Sequence, residues 1–363
     1  MKRRTFMKLA GVASVGALAS QCATVVSKES PKAVAGEAAD MGEVPIREEW
    51  LAGRNQNRST VTCRHGIVCT SQPLSSMAGV DILKSGGNAF DAAVCASAMM
   101  SLVEPMSCGP GGDLFAIIWT EKEQKLFGLN ASGRAPYDWS LDVAKGMGLT
   151  QIPSQGPLAW SVPGCVSGWS ALLERFGTKS FGEVLAPAIG YAREGFPVSP
   201  IIARGWGFPA SYDTLARTYM PGGKAPGFGD IFCNAALADT FEQIAKGGAD
   251  AFYKGEIADR IVKFSQEVGG RFSKRDFEDH TADWVEPIGT NYRGFDVWEI
   301  PPNGQGLAAL QTLNILENFE IKALEPNSAE YLHLFIEAKK LAYEDRAVYY
   351  ADPAFADVPV AKL

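Results

Sequence analysis

Histidine is nearly missing from this chain: its 363 residues include only His65, His280 and His333. No two of them fall at metal-ligand spacing, so neither a metal site nor a metal cofactor is expected. Cysteine is sparse as well, seven residues with irregular spacing and no Cys-x-x-Cys pair, so no disulfide framework can be read off. A long basic run is also lacking. Lys and Arg total 34 against 41 Asp and Glu, a net charge of −7, which argues against nucleic acid or an anionic membrane surface as partner. The uncharged run Leu9–Ala19 has eleven residues, too few to span a bilayer as a helix. What is present is ordinary for a globular protein: 46% apolar and 21% charged residues, with chain enough for two domains or one large one. Glycine is the excess, 38 of 363 residues, gathered in short clusters that imply tight turns and close backbone approaches.

The start of the chain reads as an address. Lys2-Arg3-Arg4-Thr5-Phe6-Met7-Lys8 precedes the short apolar run and resembles a twin-arginine export signal. Residues 1–23 are therefore read as a signal peptide, with Ala17-Leu18-Ala19 as a cleavage site, and 24–46 as a linker of Ala, Ser, Pro, Glu and Lys. Residues 47–363 are read as the folded domain. Lipid attachment at Cys22 stays open, although Ala19-Ser20-Gln21 lacks the leucine of a usual lipobox. The expected location is the periplasm, with any membrane association through that lipid alone. Six cysteines follow Cys22, and at most one or two bridges among them are expected in an exported protein. Cys69 and Cys95 lie in apolar runs and read as buried.

Along the domain, Gly66–Thr70 reads as a buried strand. A helix follows from Pro73 and stops at Gly86-Gly87, and Asn88 caps the next one with Asp91 as reciprocal partner. That second helix is apolar on nearly every side, which predicts a place in the core. Leu114–Trp119 and Lys125–Leu129 read as a β-hairpin opened by the turn Cys108-Gly109-Pro110-Gly111-Gly112-Asp113. Glycines before a strand are in the wrong order for a dinucleotide-binding fingerprint. Helical spacing predicts helices over 166–176, 181–194, 236–246, 256–268 and 329–349, with a strand at 297–300 and a helix from the following glycine turn to Leu316.

Six segments taken in order resemble the γ-glutamyltranspeptidase family, in particular its bacterial transpeptidase-like branch. They are Gly86–Ala93, Gly109–Asp113, Val162-Pro163-Gly164, Gly248–Gly255, Pro301–Gly306 and Glu337–Ala342. The resemblance implies an α/β fold, the αββα sandwich of N-terminal-nucleophile hydrolases. It further implies a precursor that cuts itself into large and small subunits, the new N-terminal threonine being the nucleophile with its own α-amine as base. γ-Glutamyl amides such as glutathione would be the donors. No cofactor is implied, and the partner would be the small subunit of the same precursor. The family's Thr-Thr-His start of that subunit does not occur in this sequence, so the chain is expected to be the large-subunit part, without a catalytic residue and inactive alone. The alternatives are a non-catalytic secreted binding or scaffold protein, and an acylase of the same fold with another acyl donor.

The family's pattern also implies an arginine, after the second hairpin strand, that binds the substrate's α-carboxylate. Ser132 stands at that position, and Arg134 lies two residues on. Both are candidate substrate-binding residues, since Arg134 carries a fork suited to a carboxylate. The competing reading has Arg134 pinning the Ala135-Pro136 turn or pairing with Asp138. Gly111, Gly112 and Asp113 either border the cleft or form a plain turn. Asn303–Gly306 either presents N–H groups to an anion or leads into a helix. Asn88 and Asp91 read as helix-cap structure, Trp284, Trp298 and Tyr292 as packing, and Asp345 with Arg346 as a surface ion pair.

Overall fold

The computed structural model describes residues 61–208 and 212–363, and the backbone of a strand at Thr24–Ser27. The segment read as an export signal, and Cys22, lie outside the described residues. In chain order the elements are β1 (Thr24–Ser27), α1 (Pro73–Lys84), α2 (Ala89–Val103), β2 (Leu114–Thr120), β3 (Lys125–Ala131) and α3 (Leu141–Gly146). Then come α4 (Cys165–Phe176), α5 (Phe181–Glu194), β4 (Phe196–Pro197), α6 (Pro200–Gly205), α7 (Asp213–Tyr219), β5 (Ile231–Phe232) and α8 (Ala235–Tyr253). The remainder is α9 (Glu256–Glu267), α10 (Lys274–Glu278), β6 (Asp283–Val285), β7 (Ile288–Tyr292), β8 (Phe295–Glu299), α11 (Gly306–Leu316) and α12 (Ala329–Tyr349). The chain divides into two compact units, one of 65–118 with 127–285, the other of 119–126 with 286–363 and the residues before 65.

The first unit is built around α2, which packs against α1, α4 and α5, while α5 packs against α8. Ten of the fifteen residues of α2 are buried, as an all-round apolar helix requires. Val94, Met99 and Leu102 of α2 meet Val166 and Trp169 of α4, Leu185 of α5 and Phe241 of α8 in one core. Each such side chain stabilises by roughly 1.5–3 kcal/mol on burial. The polar tip of Trp169 donates to Ser97 Oγ at 3.0 Å, so its burial leaves no orphaned donor. The capping box at α2 forms as the sequence predicts: Asn88 Oδ1 accepts from Phe90 and Asp91 N–H, and Asp91 Oδ2 accepts from Asn88 N–H at 2.8 Å. Strand β3 is central in a three-stranded sheet, with β2 on one side and β6 antiparallel on the other, Asn130 opposite Asp283.

In the second unit β8 lies between β7 and β1, antiparallel to both, and α11 packs on α12 and β7. The glycine turn before α11 is a lead-in to the helix. The buried Glu299 carboxylate already sits there, its Oε2 2.7 Å from where a Cβ on Gly306 would stand. Asp345 and Arg346 do not pair with each other. Asp345 accepts from Gln311 Nε2 at 2.8 Å, and Arg346 lies over the Tyr343 ring.

Two readings fail at Gly66–Thr70. The segment is irregular rather than a buried strand, with Ile67 61% exposed and Cys69 exposed as well. A five-residue apolar run carries no periodicity to say what covers it, and here only Val68 and Thr70 are partly buried, Val68 against Gly79 of α1. The helix predicted over 236–246 continues to Tyr253 through a kink at Gly248, whose φ is +64°. The six cysteines beyond Cys22 are all free.

Candidate active site

Three glycine-bearing segments of the first unit are laced together by their backbones. The turn at 109–113 closes through Gly112 N–H to Gly109 C=O at 3.0 Å. Gly112 C=O then accepts from Gly164 and Cys165 N–H at 2.9 and 2.8 Å, at the start of α4. The segment leaving β3 joins both neighbours: Gly133 N–H donates to Asp113 Oδ1 at 2.8 Å, and Arg134 C=O accepts from Val162 N–H at 2.9 Å. Contact is so close that side chains are excluded. A Cβ on Gly133 would stand 1.9 Å from Val162 O, and one on Gly164 2.0 Å from Ala131 O. Gly111, Gly112, Asp113, Ser132 and Arg134 thus fall in one place.

Arg134 is anchored from β6. Its Nη2 contacts Asp283 Oδ2 at 2.6 Å and its Nη1 donates to Thr281 C=O at 3.0 Å. Asp138, the partner considered from sequence, instead pairs with Arg271 at 2.8 Å. The Arg134 and Asp283 side chains remain 42% and 51% exposed, so the pair contributes little to stability and chiefly sets where the fork points. Ser132 is half-buried, its N–H on Asn130 Oδ1 at 3.0 Å.

Behind this wall lies a buried polar group that the sequence reading missed. Tyr253 donates to Pro163 C=O at 2.6 Å and accepts from Ser167 N–H at 3.0 Å. Ser167 Oγ donates to Gly164 C=O at 2.7 Å and lies 3.2 Å from His280 Nε2. The serine proton is already given to a carbonyl, so Nε2–H must be the donor and Nδ1 the bare nitrogen. That nitrogen is buried without a partner. A serine–histidine pair so arranged cannot take a proton from the hydroxyl, and among the described residues no third group hydrogen-bonds the ring, which packs against the Tyr253 ring 5.3 Å away. The pair supports the Gly164 backbone. No spacing signal could have joined residues 113 positions apart, and Asp283 sits in a strand of three residues, too short to show a period.

Burial first, then the nearby charge of Arg134, holds His280 down at about 4, against the opposing pull of Asp283. An unfolded histidine titrates near 6.5, so on acidification the unfolded chain takes up the proton first. Stability is then lost as pH falls from about 6.5 to about 4, by about 3 kcal/mol at most for this group. Denaturant unfolding at pH 7 and pH 4.5 checks this. His280→Gln is expected to show a shallower acid loss than the parent, and equal slopes would refute the assignment.

The Gamma-glutamyltranspeptidase family model matches residues 75–363. The chain is 40% identical over 312 residues to the glutathione hydrolase-like YwrD proenzyme of Bacillus subtilis, covering 85% of this chain and 59% of that protein. It is 36% identical over 332 residues to the acylase ACY 1 proenzyme of a Pseudomonas species, covering 88% and 60%. Among solved structures, the γ-glutamyltranspeptidase of Helicobacter pylori superposes with a TM-score of 0.78 at 31% identity, covering 84% of this chain and 89% of that one. Cephalosporin acylase of Bacillus halodurans gives 0.75 at 39%, covering 84% and 59%. The chain thus spans between about half and three fifths of the length of the curated relatives it matches. With the family model matched across four fifths of its length and the α/β fold of N-terminal-nucleophile hydrolases shared with these structures, the chain belongs to the γ-glutamyltranspeptidase family.

Proposed function

We propose that the complete protein hydrolyses or transfers γ-glutamyl groups, and that Arg134 binds the donor's α-carboxylate beside a threonine nucleophile supplied by a partner subunit of the same precursor. The observation that carries this reading is the laced backbone at Gly112, Gly133 and Gly164, which holds Arg134 at the rim of three convergent loops. The only buried hydroxyl–imidazole pair described there, Ser167 with His280, lacks a transferable proton, so the nucleophile is assigned outside these residues. Partner binding is supported by α12, where only Ala338 and Ala342 are buried while Leu332, Phe335, Ile336 and Leu341 are exposed. Export to the periplasm through the paired arginines completes the reading; cell fractionation of an Arg3→Lys, Arg4→Lys variant tests it.

A second reading is an acylase with another acyl donor, favoured by Ser132 standing at the family's arginine position and by Asp283 already neutralising Arg134. Kinetics of Arg134→Lys in the complete enzyme separate the two. Loss of a charged hydrogen-bond pair costs on the order of 2–4 kcal/mol, or roughly thirty- to a thousand-fold in kcat/KM for a γ-glutamyl anilide. Self-cleavage and turnover of a donor lacking the α-carboxylate should persist. Equal losses for both donors would assign Arg134 to the turn alone, and a parent enzyme that prefers the carboxylate-free donor would favour the acylase.

A further inference from the structure

Tyr137 lies three residues beyond Arg134, past the Ala135-Pro136 turn. It is 61% exposed, yet it is fixed at both its backbone N–H and its hydroxyl. The N–H donates to the buried Asp276 carboxylate at 2.7 Å, and the hydroxyl donates to Asp279 Oδ2 at 3.1 Å. The Arg275 guanidinium lies over one face of the ring, 4.5 Å from its centroid, with Nε on the same Asp279 oxygen at 3.1 Å. The turn itself is closed by Trp139 N–H on Pro136 C=O at 2.9 Å. An exposed aromatic side chain ordinarily gives up rotamer freedom when a ligand settles on it, which weakens binding. Here that freedom is already spent. With Arg275 over one face and the residue still mostly exposed, the other face is open.

The segment that fixes Tyr137 also fixes Arg134. Asp279 takes the tyrosine hydroxyl, while Thr281 C=O and Asp283 take the guanidinium. Asp279 and Thr281 are two residues apart, so at most about 7 Å of backbone separates the two anchor points. The ring and the fork thus stand side by side. Charge leaves nothing further there for an anion to seek, because Arg134, Arg271 and Arg275 each have a carboxylate partner in Asp283, Asp138 and Asp279. The open ring face is what remains to recognise a substrate, and it favours another π-system. A donor held by its α-carboxylate on Arg134 has its scissile amide nitrogen five bonds away, about 6 Å when extended. Its leaving amine therefore comes within reach of Tyr137. We propose that Tyr137 is a specificity-determining residue that stacks on an aromatic leaving amine, so that the protein prefers aryl amides to alkyl amides of the same acyl group. The assignment rests on the reading of Arg134 as the donor's anchor.

The test is the ratio of kcat/KM for an anilide to that for a methylamide of one acyl group, measured on the complete protein and its Tyr137 variants. Comparing variant with parent cancels the intrinsic difference between the two leaving groups. Tyr137→Ala is expected to lower the ratio roughly tenfold, the scale of one aromatic pair, with methylamide turnover and self-cleavage kept. Tyr137→Phe, which keeps the ring, should stay within about twofold of the parent. Tyr137→Leu, apolar but without a ring face, should resemble alanine and serves in its place if alanine lowers the yield of folded protein. An unchanged ratio in the alanine or leucine variant would overturn the assignment. So would equal losses for both amides, or lost self-cleavage at an unchanged ratio, since either makes Tyr137 a support of the turn or of the subunit contact. The ratio is taken on γ-glutamyl amides, and on carboxylate-free acyl amides if the parent turns those over instead. Failure of the Arg134 reading is then seen in which acyl group is used, and failure of the Tyr137 assignment in the ratio. A parent that turns over neither pair overturns both.

Discussion

Asp91→Ala is expected to destabilise the first unit by about 3–5 kcal/mol, because it leaves several backbone donors buried without an acceptor. Asp91 has no exposed surface. Its carboxylate accepts from Asn88 N–H at 2.8 Å, Thr178 N–H at 2.9 Å, the Thr178 hydroxyl at 2.6 Å and Lys179 N–H at 3.0 Å. One side chain thereby closes the start of α2 and fastens it to the loop between α4 and α5. Burial pushes its pKa up, but the Thr178 hydroxyl and the three N–H groups outweigh that and hold it below the usual carboxylate range. The sign follows: the contribution is complete above the unfolded value near 3.9 and is lost as pH falls through the lower folded value. Asp91→Asn, which keeps one acceptor oxygen but turns an NH₂ toward N–H donors, should fall between parent and alanine variant. Thermal and denaturant unfolding of the complete protein provide the measurement, and an alanine variant within about 1 kcal/mol of the parent would show that the loop carries its own order.

The two ends of that contact differ in how far the sequence revealed them. Asn88 and Asp91 are three apart and preceded by Gly86-Gly87, a local pattern whose geometry follows from backbone stereochemistry alone. Their link to Thr178 crosses 87 positions and has no local signature. The same division runs through the molecule. Helices α4, α5, α9 and α12 lie within a residue or two of where their spacing puts them, since amphipathic periodicity is a local record of which face is buried. Gly66–Thr70 misled because an apolar run states a preference for cover without supplying any. At the candidate site the glycine clusters announced close backbone contact, but which segments touch is set by the tertiary fold. From sequence only Asp138, four residues on, offered itself to Arg134; antiparallel pairing of β6 with β3, Asn130 opposite Asp283, brings Asp283 within reach instead.

Gly133→Ala is expected to cost both stability and function, and the second loss should be the larger. The added Cβ would lie 1.9 Å from Val162 O, 2.7 Å from Ser161 Oγ and 2.9 Å from the Val162 carbonyl carbon. Only the serine hydroxyl can turn aside; the carbonyl belongs to a segment fixed by Val162 N–H on Arg134 C=O and by Gly164 N–H on Gly112 C=O. Separating the two segments by the ångström or more that a methyl needs breaks or stretches those bonds, at about 3 kcal/mol or more. It also moves Arg134, the next residue, away from Asp283 and Thr281. Misplacement by about 1 Å costs on the order of a hundredfold when a group must meet its substrate in one geometry, so donor kcat/KM should drop by at least that factor at a temperature where the variant is still folded. Gly86→Ala supplies the comparison. That glycine has φ of +86° and open space where a Cβ would be, so alanine there should cost about 1 kcal/mol in backbone strain and leave kinetics unchanged. If Gly133→Ala matched Gly86→Ala in both readouts, the three segments would have to be separable, and the lacing could not be what sets Arg134 in place.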